Sequence, residues 1–243
     1  MRALTGLLTE AFPAWEKFEP TCWVYQAIDQ TQDDFGDLIR CLDLAGGRQD
    51  FITRLRDEHP INRPHHAEHD KRLLDAFTEG AAFAWAYDVA QIGLPHFVQS
   101  PGAPDVAVGD VWIEAKTVRY SQEEERFQDE VIQPALDRSG LIMRGPATLV
   151  APPAGYLEKF KNHFDNALLK WKRQDDLGNL IVFFNMSIDF GISRRIARHE
   201  VIAWAGRAEQ QTRAGIVICD GYNWRNPLYQ GSTTHRIQSG LKD

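Results

Sequence analysis

Apolar positions along the chain follow first a helical spacing, then a strand spacing, then an alternation of the two. From Met1 to about Pro64 the spacing is helical and is broken by Pro13, Pro20, Gly46, Gly47 and Pro60. It predicts an accessory layer of short helices with no cluster of chemically active side chains. A long helix is predicted from about His66 to Ile92, with Gly93 and Pro95 as its stop signals. Three short strands follow, Pro95 to Gln99, Asp105 to Val108 and Val111 to Val118. Gly109 and Asp110 separate the last two, and a glycine at the first central position suits a type II′ hairpin turn, which needs a positive φ there.

Beyond an acidic segment that reads as a helix from Gln122 to Arg138, an irregular stretch with Gly145, Pro146, Pro152 and Pro153 leads to a second long helix, about Ala154 to Gln174. A strand from Leu180 to Ser187, a helix around Ile196 to Gln210 and a strand from Gly215 to Cys219 complete the readable core, followed by a tail containing Gly, Asn and Pro. The expected class is α/β, a mixed central sheet flanked by helices. Residues 1–64 form a helical addition to a domain spanning 65–243. No internal repeat or low-complexity run interrupts the chain.

Hydrophobic residues at 43% and charged residues at 25% are near the averages for globular proteins and exclude a wholly disordered chain. No stretch approaches the roughly 18 apolar residues of a membrane span, and the N-terminus is too acidic and interrupted for a signal peptide, so a cytoplasmic location is expected. Cys22, Cys41 and Cys219 are scattered, which indicates free thiols rather than a disulfide framework or a zinc knuckle. A formal charge of −7 argues against nonspecific coating of nucleic acid. Local distribution changes that picture, because basic residues gather between Lys159 and Arg173 and again from Arg194 to Arg207.

The hairpin carries the chemistry. With Gly109 and Asp110 at the turn, Val108 faces Val111, Ala107 faces Trp112, Val106 faces Ile113 and Asp105 faces Glu114. Directly opposed side chains have Cβ atoms about 4.5 to 5.5 Å apart, and like charges so placed repel. Strand alternation puts Lys116 on the face of Glu114, with Ile113, Ala115 and Thr117 on the other. Two carboxylates and a lysine therefore converge in an apolar setting, where a hard cation held by oxygens would relieve the repulsion. On the preceding helix Glu79 projects from an apolar stripe of Ala82, Phe83, Ala86 and Ala90.

Pro104-Asp105 followed by Glu114-Ala115-Lys116 on the next strand resembles the signature of the PD-(D/E)xK nuclease superfamily. The resemblance covers about Leu73 to Ser187, where helix, strands, helix and strand follow the order of the restriction-endonuclease-like core. It implies a magnesium-dependent hydrolysis of phosphodiesters, with manganese able to substitute. By the same resemblance Asp105 and Glu114 bind the metal, the carbonyl of Ala115 is a further ligand, Glu79 completes the shell, and Lys116 assists the attacking water. DNA is the expected substrate ahead of RNA, with phage defence or repair as the setting and a homodimer or partner subunit as the assembly.

On the helix of Ala154 to Gln174, Leu157, Phe160, Phe164, Leu168 and Trp171 form an apolar stripe, and Lys159, His163, Asn166, Lys170 and Arg173 form a basic, amide-bearing ridge opposite it. Such a ridge can contact phosphates without reading sequence. His65 and His69 have a metal-ligand spacing but no third ligand, and a polar helix start explains them better. Trp224, Tyr222 and Tyr229 are expected to pack rather than to stack on bases. The alternative to a nuclease is a non-catalytic module of the same fold that binds nucleic acid or protein.

Overall fold

The apolar runs Leu180 to Phe184 and Ile216 to Cys219 become interior strands, since a strand covered on both faces takes apolar side chains at consecutive positions. The structure is a computed structural model and describes residues 3–12, 32–58, 67–100, 102–118, 156–173, 178–186, 192–220 and 223–240. In chain order the elements are α1 (Ala3–Ala11), α2 (Gln32–Ala45), α3 (Arg48–Glu58), α4 (Ala67–Ala84), β1 (His96–Phe97), β2 (Val106–Val108) and β3 (Val111–Val118). These are followed by α5 (Tyr156–Lys172), β4 (Asn179–Met186), α6 (Ile192–Thr212), β5 (Gly215–Asp220), β6 (Tyr229–Gln230) and α7 (Ser232–Gly240). The expected helix Gln122 to Arg138, the His65 side chain with its neighbour His69, and Tyr222 lie outside what is described.

The six strands form one mixed sheet in the order β1-β2-β3-β4-β5-β6. β1, β2 and β3 pair antiparallel, β3, β4 and β5 run parallel, and β6 closes the far edge antiparallel. Parallel neighbours need long crossovers. α5 lies between β3 and β4 in the chain and α6 between β4 and β5, and both pack on the same face of the sheet through Phe160, Phe164 and Trp204 against Val182 and Phe184. The opposite face, with Ile113, Ile181, Phe183 and Val217, lies against α4, on which α2 and α3 pack, with α1 packed on those two. An α/β molecule with a helical layer on each face results.

Three of the four pairs that the pattern predicts are present, Val108 with Val111, Ala107 with Trp112 and Val106 with Ile113. The fourth, Asp105 opposite Glu114, is not, because the ladder ends at Val106 and the Asp105 side chain accepts from Ala115 N instead. Gly109 has φ +57 and Asp110 no positive φ, as a type II′ turn requires. The turn is pinned to β4, because Asp110 O accepts from Asn179 N at 2.8 Å and Asp110 Oδ2 from the Asn179 amide at 2.9 Å. Gly178 makes that approach feasible, since a Cβ there would lie 1.9 Å from Asp110 O.

Three elements differ from expectation. The long helix widens into a π-helical turn over Trp85–Ala90 and ends at Gln91, which takes the left-handed conformation with φ 52, so the stop falls before Gly93. Buried Ile92 is thereby released from the helix into the core. β1 is shorter than Pro95 to Gln99, because Val98 N donates to Asp105 O at 3.2 Å outside the ladder and Val98 O accepts from Arg54. The tail holds β6 and α7, which carry too few apolar residues to announce themselves; within α7 only Ile237 is a large buried aliphatic.

α7 is instead anchored by a buried carboxylate. Glu209, 1% exposed, accepts from Ile216 N at 2.6 Å, Thr234 Oγ1 at 3.2 Å, Thr233 N at 3.3 Å and the Tyr229 hydroxyl at 3.3 Å. An anion beside the unpaired N–H groups of a helix start is favourable. One side chain therefore ties α6, β5, β6 and α7 together.

Candidate active centre

Asp105 sits where the β2 ladder begins, with its backbone outside the ladder. Its carbonyl accepts from the Arg54 guanidinium at 3.2 Å, and its Oδ2 accepts from Ala115 N at 2.8 Å. The pairing of β2 with β3 ends at Val106 and Ile113, so the N–H of Ala115 turns to a side chain. N–H and C=O of one strand residue leave from the same edge, which places the Ala115 carbonyl on the edge beside Asp105.

Glu114, one residue earlier on β3, is 4% exposed on the face covered by α5. Its Oε1 accepts from Lys116 Nζ at 2.7 Å and from Lys170 Nζ at 2.9 Å, and its Oε2 accepts from Lys170 Nζ at 2.7 Å. Lys170 comes from α5. The sequence places it on the outward ridge, and the structure corrects this: it lies three residues beyond buried Ala167, on the flank of the apolar stripe, and its long stem reaches inward to Glu114. Of the other ridge residues, Asn166 and Arg173 are exposed, and Lys159 and His163 are half-buried.

The electrostatics follow from this packing. Burial pushes the Asp105 carboxyl up to about 6, the negative charge of Glu114 adds to the rise, and Lys116 and Lys170 oppose it. For Lys116 burial disfavours the ammonium form, but Asp105 and Glu114 outweigh it and the group is held above its ordinary value. Lys116 is thus a charged donor as the site stands. The positive charge that the two neighbouring carboxylates demand is carried here by two ammonium groups.

Glu79 lies on the other side of this hairpin. It is half-buried and ion-paired with Arg54 of α3, which also donates to the carbonyls of Val98 and Asp105 and stacks over Phe97 at 5.1 Å. Glu79 is therefore joined to Asp105 through a guanidinium, within electrostatic reach of Lys116. Arg54 escaped the sequence reading because its partners lie 25 to 51 residues away and no local pattern marks it. Behind the site, Thr78 of α4 shares a 2.8 Å hydrogen bond with Thr117 and accepts from Asn185 at 3.1 Å, which fixes α4 against β3 and β4.

Asp105, Glu114 and Lys116 are thus brought together, Lys170 joins them, and Glu79 stands behind Arg54. Among the described residues no three His, Cys, Asp or Glu side chains cluster as a cage for a metal ion. The available donors are two carboxylates and the Ala115 carbonyl. That set fits magnesium, which is held by one or two carboxylates and keeps several waters, better than it fits zinc or calcium. No family model, no curated protein and no solved structure matches the chain.

Proposed function

We propose that this protein is a metal-dependent nuclease that hydrolyses phosphodiester bonds, DNA ahead of RNA. The observation that carries the proposal is the convergence of Asp105, Glu114 and Lys116 at one end of the β2 and β3 hairpin, where burial and the proximity of Glu114 push Asp105 up to about 6. Two neighbouring carboxylates, one of them raised by burial and by the other's charge, are a set of hard oxygens that a divalent cation can bind. The order helix, three antiparallel strands, helix and parallel strand supports the same reading, since it is the order expected for a restriction-endonuclease-like core.

A magnesium ion bound by Asp105, Glu114 and the Ala115 carbonyl would supply Lewis acidity toward water and phosphate. The chain's own residues do the rest. Ala115 N orients Asp105, Arg54 holds the Asp105 backbone from behind, and Lys116 offers an ammonium that can orient the nucleophile and offset phosphate charge. The exposed Asn166 of α5 and Arg173, one residue past its end, can contact flanking phosphates.

The test is manganese uptake and duplex cleavage by wild type, Asp105→Asn and Glu114→Gln. The proposal predicts that each substitution weakens uptake and lowers cleavage at least about a hundredfold, as loss of a group acting directly on the reacting centre does. Undiminished cleavage in either variant would remove the site. One observation favours a non-catalytic binding module of the same fold: Glu114 already has three ammonium contacts and is satisfied without a metal. Such a module binds duplex equally in chelator and in magnesium.

A further inference from the structure

Lys170 occupies a position that a buried counter-ion alone does not explain. A carboxylate offers about four acceptor positions. On Glu114 one is taken by Lys116 and two by Lys170, one on each oxygen. Lys116 is two residues along the same strand, so its place is set by β3 itself. Lys170 arrives on α5, from a separate element, by a long, flexible stem and is half-buried. It is therefore the contact whose release opens both oxygens of Glu114.

The charges around the site give that release a direction. Asp105 and Glu114 are balanced by Lys116 and Lys170, so the four groups carry no net charge together. A divalent cation on the carboxylates leaves a net charge of plus two in a partly buried site. Its positive charge repels the ammonium that shares Glu114, and the same excess attracts a phosphodiester. An ammonium is a compact charge with three donors, suited to a phosphate oxygen.

We propose that Lys170 is a second lysine of the active centre, exchanged from Glu114 to the substrate phosphate when a metal ion takes the carboxylate. The proposal rests on the metal-dependent reading of the site and adds to it a residue that holds Glu114 in the metal-free state and contacts the nucleic acid in the loaded one.

The experiment compares wild type with Lys170→Met, which keeps the stem and removes the charge. Manganese binding is followed by titration calorimetry, and binding of a short labelled duplex is followed in calcium over a range of salt. Removing the competing ammonium is expected to tighten manganese binding on the order of tenfold, the worth of a charge-assisted hydrogen bond. Duplex affinity is expected to fall by about the same factor, with a salt slope smaller by about one. Lys170→Gln, which keeps a donor to Glu114 without the charge, shifts both quantities in the same directions and replaces the methionine variant if that fails to fold. If wild type takes up no manganese, the metal-dependent reading falls and this inference with it. If wild type takes it up but the variants bind it more weakly, or bind duplex as well as wild type, only the role of Lys170 is overturned.

Discussion

Asp105 holds a proton more tightly in the folded chain than its ordinary value of 3.8 allows, because burial and Glu114 both oppose its charge. The sign of the pH effect follows. A carboxyl raised by folding contributes stability that is full below about pH 4 and is lost as pH rises through about 6. In chelator, wild type is expected to lose thermal stability between these pH values, and Asp105→Asn, which cannot ionise but can still accept from Ala115 N, is expected to lose less. Melting curves across that range check this, and equal slopes for the two proteins would contradict it. Period-two alternation sufficed to put Glu114 and Lys116 on one face, where they pair, but not to place Asp105, which lies beyond the ladder and turns to the Ala115 N–H. It could not find Lys170 or Arg54, because a helix-flank lysine and a lone arginine acquire meaning only from partners that tertiary folding brings near.

At the scale of elements, the hairpin was legible because its register is fixed by two residues, Gly109 and Asp110, and by the two apolar runs beside them. The end of α4 was not, since a π-helical turn is set by the packing of Trp85, Ala86 and Ala90 rather than by a local stop signal. α7 was hidden for a related reason: its start is stabilised by Glu209, 23 residues before Ser232 in the chain. Glu209→Ala is expected to cost about 3 kcal/mol, because several buried donors lose their acceptor at once. Urea unfolding measures it. Glu209→Gln, which retains one oxygen, is expected to cost less, and a neutral alanine variant would show that α7 is held by other contacts.

For the whole molecule, the N-terminal helices share one apolar core with the sheet. Phe35 and Phe51 meet Phe77 of α4 at 5.1 and 5.6 Å between ring centroids, Phe51 also stacks with Phe97 of β1, and one apolar cluster runs from Leu7 to Ile237. Arg225 adds a polar clasp between layers, pairing with Asp37 of α2 and with Asp88 at 3.0 Å. Removal of residues 1–64 is therefore expected to abolish cooperative unfolding, because it exposes Phe77 and Phe97 and strips Arg54 from the centre. A sharp thermal transition in the truncated chain would contradict this. Sequence periodicity recognised the layer as helical but could not reveal that it supplies the residue holding Asp105.

The central claim is that Asp105, Glu114 and Lys116 form a metal-dependent phosphodiesterase centre. Its most direct test is to incubate wild type and Lys116→Ala with plasmid, linear duplex, single-stranded DNA and RNA, each in magnesium, manganese or chelator. The predicted result is strand cleavage by wild type in metal, none in chelator, and a loss of at least about a hundredfold in the variant. Cleavage that persists in chelator, or that Lys116→Ala performs as well as wild type, would contradict it.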